Sequence, residues 1–411
     1  MPGDKSLSHR ALILAAMARG VSRLQGLLNS ADVQNTARLL RQLGARLEGE
    51  WGDLRVTGWG MHRCPGPLVL DCGNSGTTMR LMAGVLAAGQ GEYSLLGDAS
   101  LSARPMRRVA TPLRELGASV ETAEQGTAPL RIVSQLLQGV TCSLEVPSAQ
   151  VKSCLLLAGV QAQGETIISG DRGSRDHTER MLRALGVCLR ECAGDLMVRG
   201  GQTWPGFEMR VPCDPSSAAF PVTLAVLVPG SAIEVPGLGL NPTRLGFYRL
   251  LQRMGARVSW QVQGEELGEP WGTMRAEYSR LQAIDVAPRD IPSSIDELPL
   301  LAVAAAAAQG TTRVAGAGEL RHKESNRLGA IARELGKMGV DIRLNGDGWI
   351  IAGPTAWSDA TVSTWGDHRL EMCLAVAASL GECGRQTRLE GCGNQGVSWP
   401  DFWESMFGGK P

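Results

Sequence analysis

Two kinds of hydrophobic segment alternate along the chain. The first begins polar, runs through an alanine-rich body and reaches glycine before a strand-like run. Its copies span Lys5 to Gly20, Thr77 to Gly91, Gln150 to Gly164, Ser216 to Gly230, Asp296 to Gly310 and His368 to Gly381. The second is amphipathic, with apolar residues at i, i+3 and i+4, the helical period. It ends in a Leu/Met-Gly-Ala/Val signal, and its copies begin at Thr36, Thr111, Glu179, Tyr248 and Ala332. A sixth copy, Asp401 to Gly408, is cut short by the C-terminus. Glycine after each helix predicts a left-handed turn into the next strand. Short alternating runs between the helices, such as Leu54 to Thr57, Leu130 to Val133 and Trp349 to Ala352, read as strands.

The glycines that close the first kind recur roughly every 70 residues, about one sixth of the chain. Each repeat therefore holds two helices and three or four strands. The expected class is α/β, with six units grouped three and three. A boundary near Pro221 to Pro229 makes residues 1–222 one lobe and 223–411 the other.

Composition narrows the partners. A chain of 411 residues exceeds one ordinary core. Lys+Arg and Asp+Glu both number 41, so no long-range field draws nucleic acid or an anionic membrane. Aromatics at 4% argue against base stacking. The apolar run from Leu298 to Ala308 is broken by Pro299 and too short to span a bilayer. The N-terminus mimics a signal peptide, but the same helix pattern recurs inside the chain, so that reading is rejected. Ten cysteines form no Cys-x-x-Cys pair, and Cys188 and Cys192 have no His pair nearby. Neither zinc nor a disulfide framework is indicated. Each cysteine reads as a small buried hydrophobe in a reducing cytoplasm.

Candidate chemistry lies where the repeats are polar. The first-kind helix starts carry Lys5, Ser6, His9 and Arg10; Asn74, Ser75, Gly76, Thr77 and Arg80; Ser148, Ala149, Gln150 and Lys152; Asp214, Ser216 and Ser217; Asp296 and Glu297; and Asp367, His368 and Arg369. A helix start has unpaired N–H groups and a partial positive charge, so it suits anions. If equivalent helices of two pseudo-threefold lobes point the same way, all six starts face one electropositive interlobe cleft. Small polyanionic substrates are then the expected ligands. Gly73 to Arg80 lacks the Gly-Lys-Ser/Thr ending of a P-loop and reads equally as a plain turn or an anion loop. Glu319 to Leu328 opens an amphipathic helix on which Lys323 and Arg327 share a face. Asp296 starts an apolar helix, where a cap is the default; a base needs its neighbours to tune it back.

These motifs together resemble the 5-enolpyruvylshikimate-3-phosphate synthase family, in its second sequence class, over essentially the whole chain. The residues that carry the resemblance are Pro2 to Ser6, Gly73 to Thr77, Arg104-Pro105, Ser148 to Lys152, Arg175 to Glu179, Asn241 to Arg244, Asp296-Glu297, Lys323-Glu324 with Arg327, and Asp367 to Arg369. The resemblance implies a two-lobed inside-out α/β barrel of six βαβαββ units, helices inside and sheets outside, closing on substrate. It implies transfer of the enolpyruvyl group of phosphoenolpyruvate to the 5-hydroxyl of shikimate 3-phosphate, with no metal or organic cofactor. Lys5, Ser6, Arg10, Ser148, Ala149, Gln150, Arg175, Asp296 and Lys323 are the implied shikimate 3-phosphate contacts. Lys5, Asn74, Gly76, Arg104, Gln150, Arg327 and Arg369 are those for phosphoenolpyruvate. Asp296 is the implied base, and Glu324, with Lys5 near it, the implied proton donor and acceptor. A cytoplasmic monomer without nucleic-acid or membrane partners is expected.

The chain departs from the family pattern at four places. A strand normally precedes Pro2, and its lack is expected to leave a sheet edge unpaired. His322 and Asn326 replace the commoner Val and Asp. Val397 stands where some members have lysine. Gly76 is retained where glyphosate-tolerant members often carry alanine. The alternatives are a UDP-N-acetylglucosamine enolpyruvyl transferase, whose mobile-loop cysteine has no counterpart near Arg104, and a degenerate ligand-binding relative.

Overall fold

The computed structural model describes residues 1–60, 65–145, 147–171, 173–381 and 386–409. All six helices of the first kind form, at Lys5–Met17, Gly76–Ala87, Ala149–Gly159, Pro215–Leu227, Leu298–Ala307 and His368–Ala378. Their bodies are apolar on nearly every side, so they bury almost throughout rather than along one stripe. The amphipathic kind forms at Ala31–Gln42, Arg107–Glu115, His177–Ala184, Gly246–Arg253, Arg327–Lys337 and Phe402–Phe407, each with one buried face.

The two kinds stop differently. The amphipathic helices run into left-handed glycines, Gly44, Gly117, Gly186, Gly255, Gly339 and Gly408, with φ from 67 to 104°. Four buried helices instead end at extended residues, Ala18, Ala88, Val228 and Ala308. At two of them the last turn tightens, Ala18 N–H donating to the Ala15 carbonyl at 3.3 Å and Ala308 N–H to the Ala305 carbonyl at 3.1 Å, before the chain leaves. The expectation that glycine terminates every helix is corrected for these; Gly20, Gly230 and Gly310 lie further along, in the turn to the strand.

The chain divides into two compact units. One comprises Gly3–Val211 with Glu265–Glu269; the other comprises Met1–Pro2, Pro212–Gly264 and Pro270–Pro411. The division falls before the Pro215–Leu227 helix, ahead of the boundary read from sequence. That helix continues through Pro221, and Ala218, Ala219, Phe220 and Val222 all bury in the second unit's core.

Within the first unit, the described residues form three four-stranded sheets with one design. Their strand orders are Glu208–Arg210, Val21–Gln25, Asp53–Thr57, Arg46–Glu50; Leu68–Asp71, Glu92–Leu96, Leu130–Val133, Ser119–Glu121; and Thr141–Ser143, Glu165–Ser169, Asp195–Arg199, Leu189–Cys192. In each, the first pair is parallel and the rest antiparallel. The helices Gly76–Ala87 and Ala149–Gly159 pack backbone to backbone at Gly84, where a Cβ would sit 2.1 Å from the Cys154 carbonyl oxygen.

In the second unit, Ala232–Gly239, Glu269–Glu277 and Arg257–Glu266 form an antiparallel sheet; the last two strands turn through Glu265–Glu269. Asp285–Val286, Gly310–Val314, Gly348–Gly353 and Asp341–Asn345 repeat the four-stranded design. Thr361–Ser363 pairs in parallel with Arg388–Glu390, a two-stranded sheet among the described residues. Each unit has its own apolar core.

Among the described residues no helix is long and apolar enough to cross a membrane. Cys72, Cys142, Cys154 and Cys373 are buried, but Cys188 and Cys192 are exposed, against expectation. Cys192 ends the edge strand Leu189–Cys192, which pairs on one side only, and Cys188 immediately precedes that strand. Cys64 and Cys383 lie outside the described residues.

Candidate active site

The predicted residues fall into both units. Lys5, Ser6, Arg10, Asn74, Gly76, Arg104, Ser148, Ala149, Gln150 and Arg175 belong to the first; Asp296, Lys323, Glu324, Arg327 and Arg369 belong to the second.

In the first unit, Asp4 caps the Lys5–Met17 helix, its carboxylate accepting from Leu7 N–H at 2.8 Å. That fixes the turn bearing Lys5, whose ammonium pairs with Asp32 at 2.5 Å. Arg10 is buried and anchored by Nε to Thr178 Oγ1 at 2.8 Å, Nη2 to Ser153 Oγ at 2.8 Å and Nη1 to the Ser6 carbonyl at 3.0 Å. Burial lowers its pKa to about 10 despite Glu179, and Arg175 lies near enough to push the same way. Lys152 is buried beside these groups, bound to Asp171 and Glu179 at 2.6 Å each.

A second group gathers at the Gly76–Ala87 helix start. Ser75 caps it, accepting from Thr78 N–H. Asn74 bridges Asp98 and Arg104, at 2.7 and 2.6 Å. A Cβ on Gly76 would lie 3.3 Å from Nη1 of both Arg80 and Arg104. Gln150 accepts from Arg80 Nη1 at 2.5 Å and donates to Thr77 Oγ1 at 2.9 Å. Ser148 caps the next helix, and Ala149 is that helix's first residue.

One buried hydrogen-bond chain ties the two groups. His9 Nδ1 meets Thr36 Oγ1, Thr36 meets Thr78, and Thr78 donates to Ser75, each at 2.7 Å. Burial, with Lys5 and Arg10 adding like charge, holds His9 well below the ordinary histidine range. The native imidazole is therefore neutral at neutral pH, while the unfolded one takes a proton below about pH 6.5. Stability from this group is complete above that pH and lost as pH falls beneath it, at about 1.4 kcal/mol per pH unit. A His9→Gln chain is expected to show a shallower stability decline between pH 6.5 and 5 by one proton's worth. Urea unfolding across that range measures it, and parallel slopes for the two chains would exclude His9.

In the second unit, Asp296 draws cations on three sides. Its Oδ1 lies 3.3 Å from Lys323 Nζ and 3.6 Å from Arg327 Nη1, and its Oδ2 lies 3.9 Å from Arg369 Nη2. Arg327 is buried and grips Asp367 through Nε at 2.8 Å and Nη2 at 3.1 Å; Nη2 also makes a very short bond to Glu324. Burial disfavours the Arg327 charge, yet Asp367 and Glu324 together raise its pKa above the ordinary value. Asp367 also caps the His368–Ala378 helix by accepting from Arg369 N–H at 2.9 Å.

Two sequence expectations change here. Lys323 and Arg327 do not share a helix face: Gly318–His322 is a 3-10 turn, Lys323 is extended and the helix begins at Arg327. Asn326 stops the earlier turn from continuing, because its side-chain oxygen caps the new helix through Gly329 N–H at 3.2 Å. Asp296 is not a cap either. Helix Leu298–Ala307 has Glu297 at that position with no side-chain cap bond, which leaves the Asp296 carboxylate to the cations.

Sequence reasoning placed Arg80 at a candidate helix start but not among the substrate contacts, although it lies within reach of Gly76 and holds Gln150. Its i, i+4 spacing from Gly76 was the available signal.

The chain is similar to known proteins over nearly its whole length. The family model for EPSP synthase (3-phosphoshikimate 1-carboxyvinyltransferase) matches residues 1–406. A protein of Acidithiobacillus ferrooxidans named 3-phosphoshikimate 1-carboxyvinyltransferase is 45% identical over 404 residues, covering 98% of this chain and 92% of its own. A protein of the same name from Xanthomonas campestris pv. campestris is 44% identical over 407 residues, with the same coverage. The solved EPSP synthase of Acinetobacter baumannii is 38% identical with a TM-score of 0.87, covering 98% of this chain and 93% of that one. The enolpyruvyl transferase NikO of Streptomyces tendae shares the fold at 18% identity and a TM-score of 0.78, covering 98% and 92%.

Proposed function

The chain belongs to the EPSP synthase family, the 3-phosphoshikimate 1-carboxyvinyltransferases, and on that premise we propose how its residues divide the work. The enzyme transfers the enolpyruvyl group of phosphoenolpyruvate to shikimate 3-phosphate in the shikimate pathway. Asp296 takes the proton of the 5-hydroxyl as that oxygen bonds to the central carbon of phosphoenolpyruvate. Glu324, with Lys5, delivers a proton to the methylene carbon. The same carboxylate later takes a proton back as phosphate leaves and the double bond re-forms; the proton held by Asp296 departs with the phosphate, so the proton count closes.

Lys5, Ser6, Arg10, Ser148, Ala149, Gln150, Arg175, Asp296 and Lys323 hold shikimate 3-phosphate. Lys5, Asn74, Gly76, Arg104, Gln150, Arg327 and Arg369 hold phosphoenolpyruvate. The observation that carries this division is the contrast between Arg327, pinned by Asp367 and Glu324, and Arg369. Among the described residues, the Arg369 side chain makes no polar contact shorter than 3.5 Å. A fixed guanidinium beside a loosely engaged one suits a doubly anionic ligand, since each can offer paired donors. The inside-out arrangement of buried helices within outer sheets, a monomeric state and a cytoplasmic location complete the reading. Phosphate release from phosphoenolpyruvate, measured with shikimate 3-phosphate and separately with UDP-N-acetylglucosamine, is the direct test; release with the second acceptor alone would reverse the substrate assignment.

Gly76→Ala gives a graded version of the test. The added methyl would lie 3.3 Å from the Arg80 and Arg104 guanidiniums, so both must yield by a few tenths of an ångström. Competition by glyphosate against phosphoenolpyruvate is expected in this chain, and Gly76→Ala should weaken the inhibitor more than the substrate. Inhibition curves that coincide for the two proteins would remove Gly76 from the phosphoenolpyruvate site.

A further inference from the structure

Two features singled out in the sequence have no part in the assignment above: the Asn241 to Arg244 motif and the Asp214 to Ser216 helix start. The second unit builds both into the surroundings of Asp296. Asn241 accepts from Thr243 N–H and Oγ1–H at 2.9 and 2.7 Å, shaping the short turn that presents Arg244. Arg244 is buried, and its Nη2 donates to Asp214 Oδ1 at 2.9 Å and Ser216 Oγ at 2.7 Å. Ser216 Oγ–H then donates to Glu297 Oε1 in a very short bond. Glu297 is 4% exposed, and its Oε2 has no hydrogen-bond partner among the described residues. With Ser216, Asp296, Arg369 and Cys373 it lines a small pocket.

We propose that Glu297 is a positioning residue that holds Arg369 off the carboxylate of Asp296. The inference rests on the reading of Asp296 as base and Arg369 as a phosphoenolpyruvate ligand. A guanidinium beside a single carboxylate closes to about 2.7–2.9 Å. Arg369 does not close. Its Nη1 stands 3.7 Å from Glu297 Oε1 and 3.5 Å from the Asp296 carbonyl, and its Nη2 stands 3.9 Å from Asp296 Oδ2. Adjacent carboxylates on the chain pull it two ways. Glu297 cannot swing over to complete a pair, because Ser216 fixes one of its oxygens and Arg244 fixes Ser216. The guanidinium keeps its donors for an incoming anion, and Asp296 keeps its oxygens for a proton.

The test is steady-state kinetics of the intact enzyme against phosphoenolpyruvate across pH, for Glu297→Gln, Glu297→Asp, Ser216→Ala and Arg369→Lys. The groups acting on Glu297 are Arg369, Asp214, Arg244 and Tyr248; those acting on Asp296 are Lys323, Arg327 and Arg369. With Glu297→Gln, Arg369 closes on Asp296. KM for phosphoenolpyruvate is then expected to rise about 10- to 100-fold, and the acid limb of the kcat profile to move to lower pH with a lower plateau. Ser216→Ala should change both in the same direction but less, and Glu297→Asp should recover part of the loss. If Arg369→Lys raises KM while Glu297→Gln and Ser216→Ala keep the parental KM and pH profile, the positioning role is overturned and the ligand assignment stands. An unchanged KM in Arg369→Lys overturns both. A Glu297→Gln chain that melts early with an unmoved acid limb marks Glu297 as merely structural and also overturns the proposal. Ser216→Ala, which loses only a hydroxyl, keeps the test open if Glu297→Gln does not fold.

Discussion

Asp296→Ala and Glu324→Ala are each expected to lower turnover by about 10²–10⁴-fold, the usual worth of a positioned acid or base, while substrate affinity changes only modestly, because charge offsets the lost contact. The asymmetry follows from charge. Asp296 stands 3.3 Å from Lys323 and 3.6 Å from Arg327, and Glu324 bonds Arg327 directly. Removing either carboxylate leaves those cations less neutralised, so an anionic ligand meets a stronger field, not a weaker one. A residue that only held the cations in place would instead weaken binding and leave the bound complex to react. Calorimetric titration of shikimate 3-phosphate, set beside kcat for each variant, separates the two behaviours. Near-normal turnover in both variants would refute the acid–base assignment, and a large loss of affinity with normal kcat would reduce the two residues to scaffolding.

The helices were legible because their signal is local. An alanine-rich body at Leu298–Ala307 or an i, i+3, i+4 stripe at Ala31–Gln42 declares its burial within a dozen residues. The partners of the charged residues were not legible, because they come from far along the chain. Arg10 is held by Thr178 and Ser153, and Arg244 reaches Ser216 and, through it, Glu297. No periodicity records such distances. The break at Asn326 shows a third kind of failure. Lys323 to Arg327 has helical spacing, but one side-chain cap on Gly329 N–H overrides it, so the two cations reach Asp296 from an extended residue and a helix start rather than from one helix face. Glu297 was named but given no role for a related reason. In sequence it is a neighbour of Asp296 at a helix start, and only its bond to Ser216 separates its role from a cap.

Asp367→Ala is expected to cost about 3–5 kcal/mol of stability in the second unit, the range for stripping one partner from a buried ion pair. Asp367 takes two bonds from Arg327, one from Ser325 Oγ at 2.9 Å and one from Arg369 N–H at 2.9 Å. Without it the Arg327 guanidinium, 1% exposed, keeps Glu324 and the more distant Asp296, and the His368–Ala378 helix loses its cap. The pH dependence has a definite sign. Burial alone would raise the Asp367 carboxyl, but Arg327 overrides it and holds the group below the usual aspartate range. Its stabilisation is therefore complete above the unfolded value of about 3.9 and is lost as pH falls through the lower folded value. Urea unfolding should show parent and Asp367→Asn far apart at pH 7 and converging below about pH 4; a constant gap would mean that the charge of Asp367 is not what stabilises. A double variant, Arg327→Met with Asp367→Leu, shows what the pair is for. Apolar replacement of both partners of a buried pair is often neutral or stabilising, so the double variant should regain most of the lost stability and none of the turnover. Recovery of turnover would mean that Arg327 is not a ligand for phosphoenolpyruvate. Stability without turnover would mean that the chain keeps a desolvated guanidinium at this helix start for the anion it receives, and that Asp367 is what makes such a charge tolerable there.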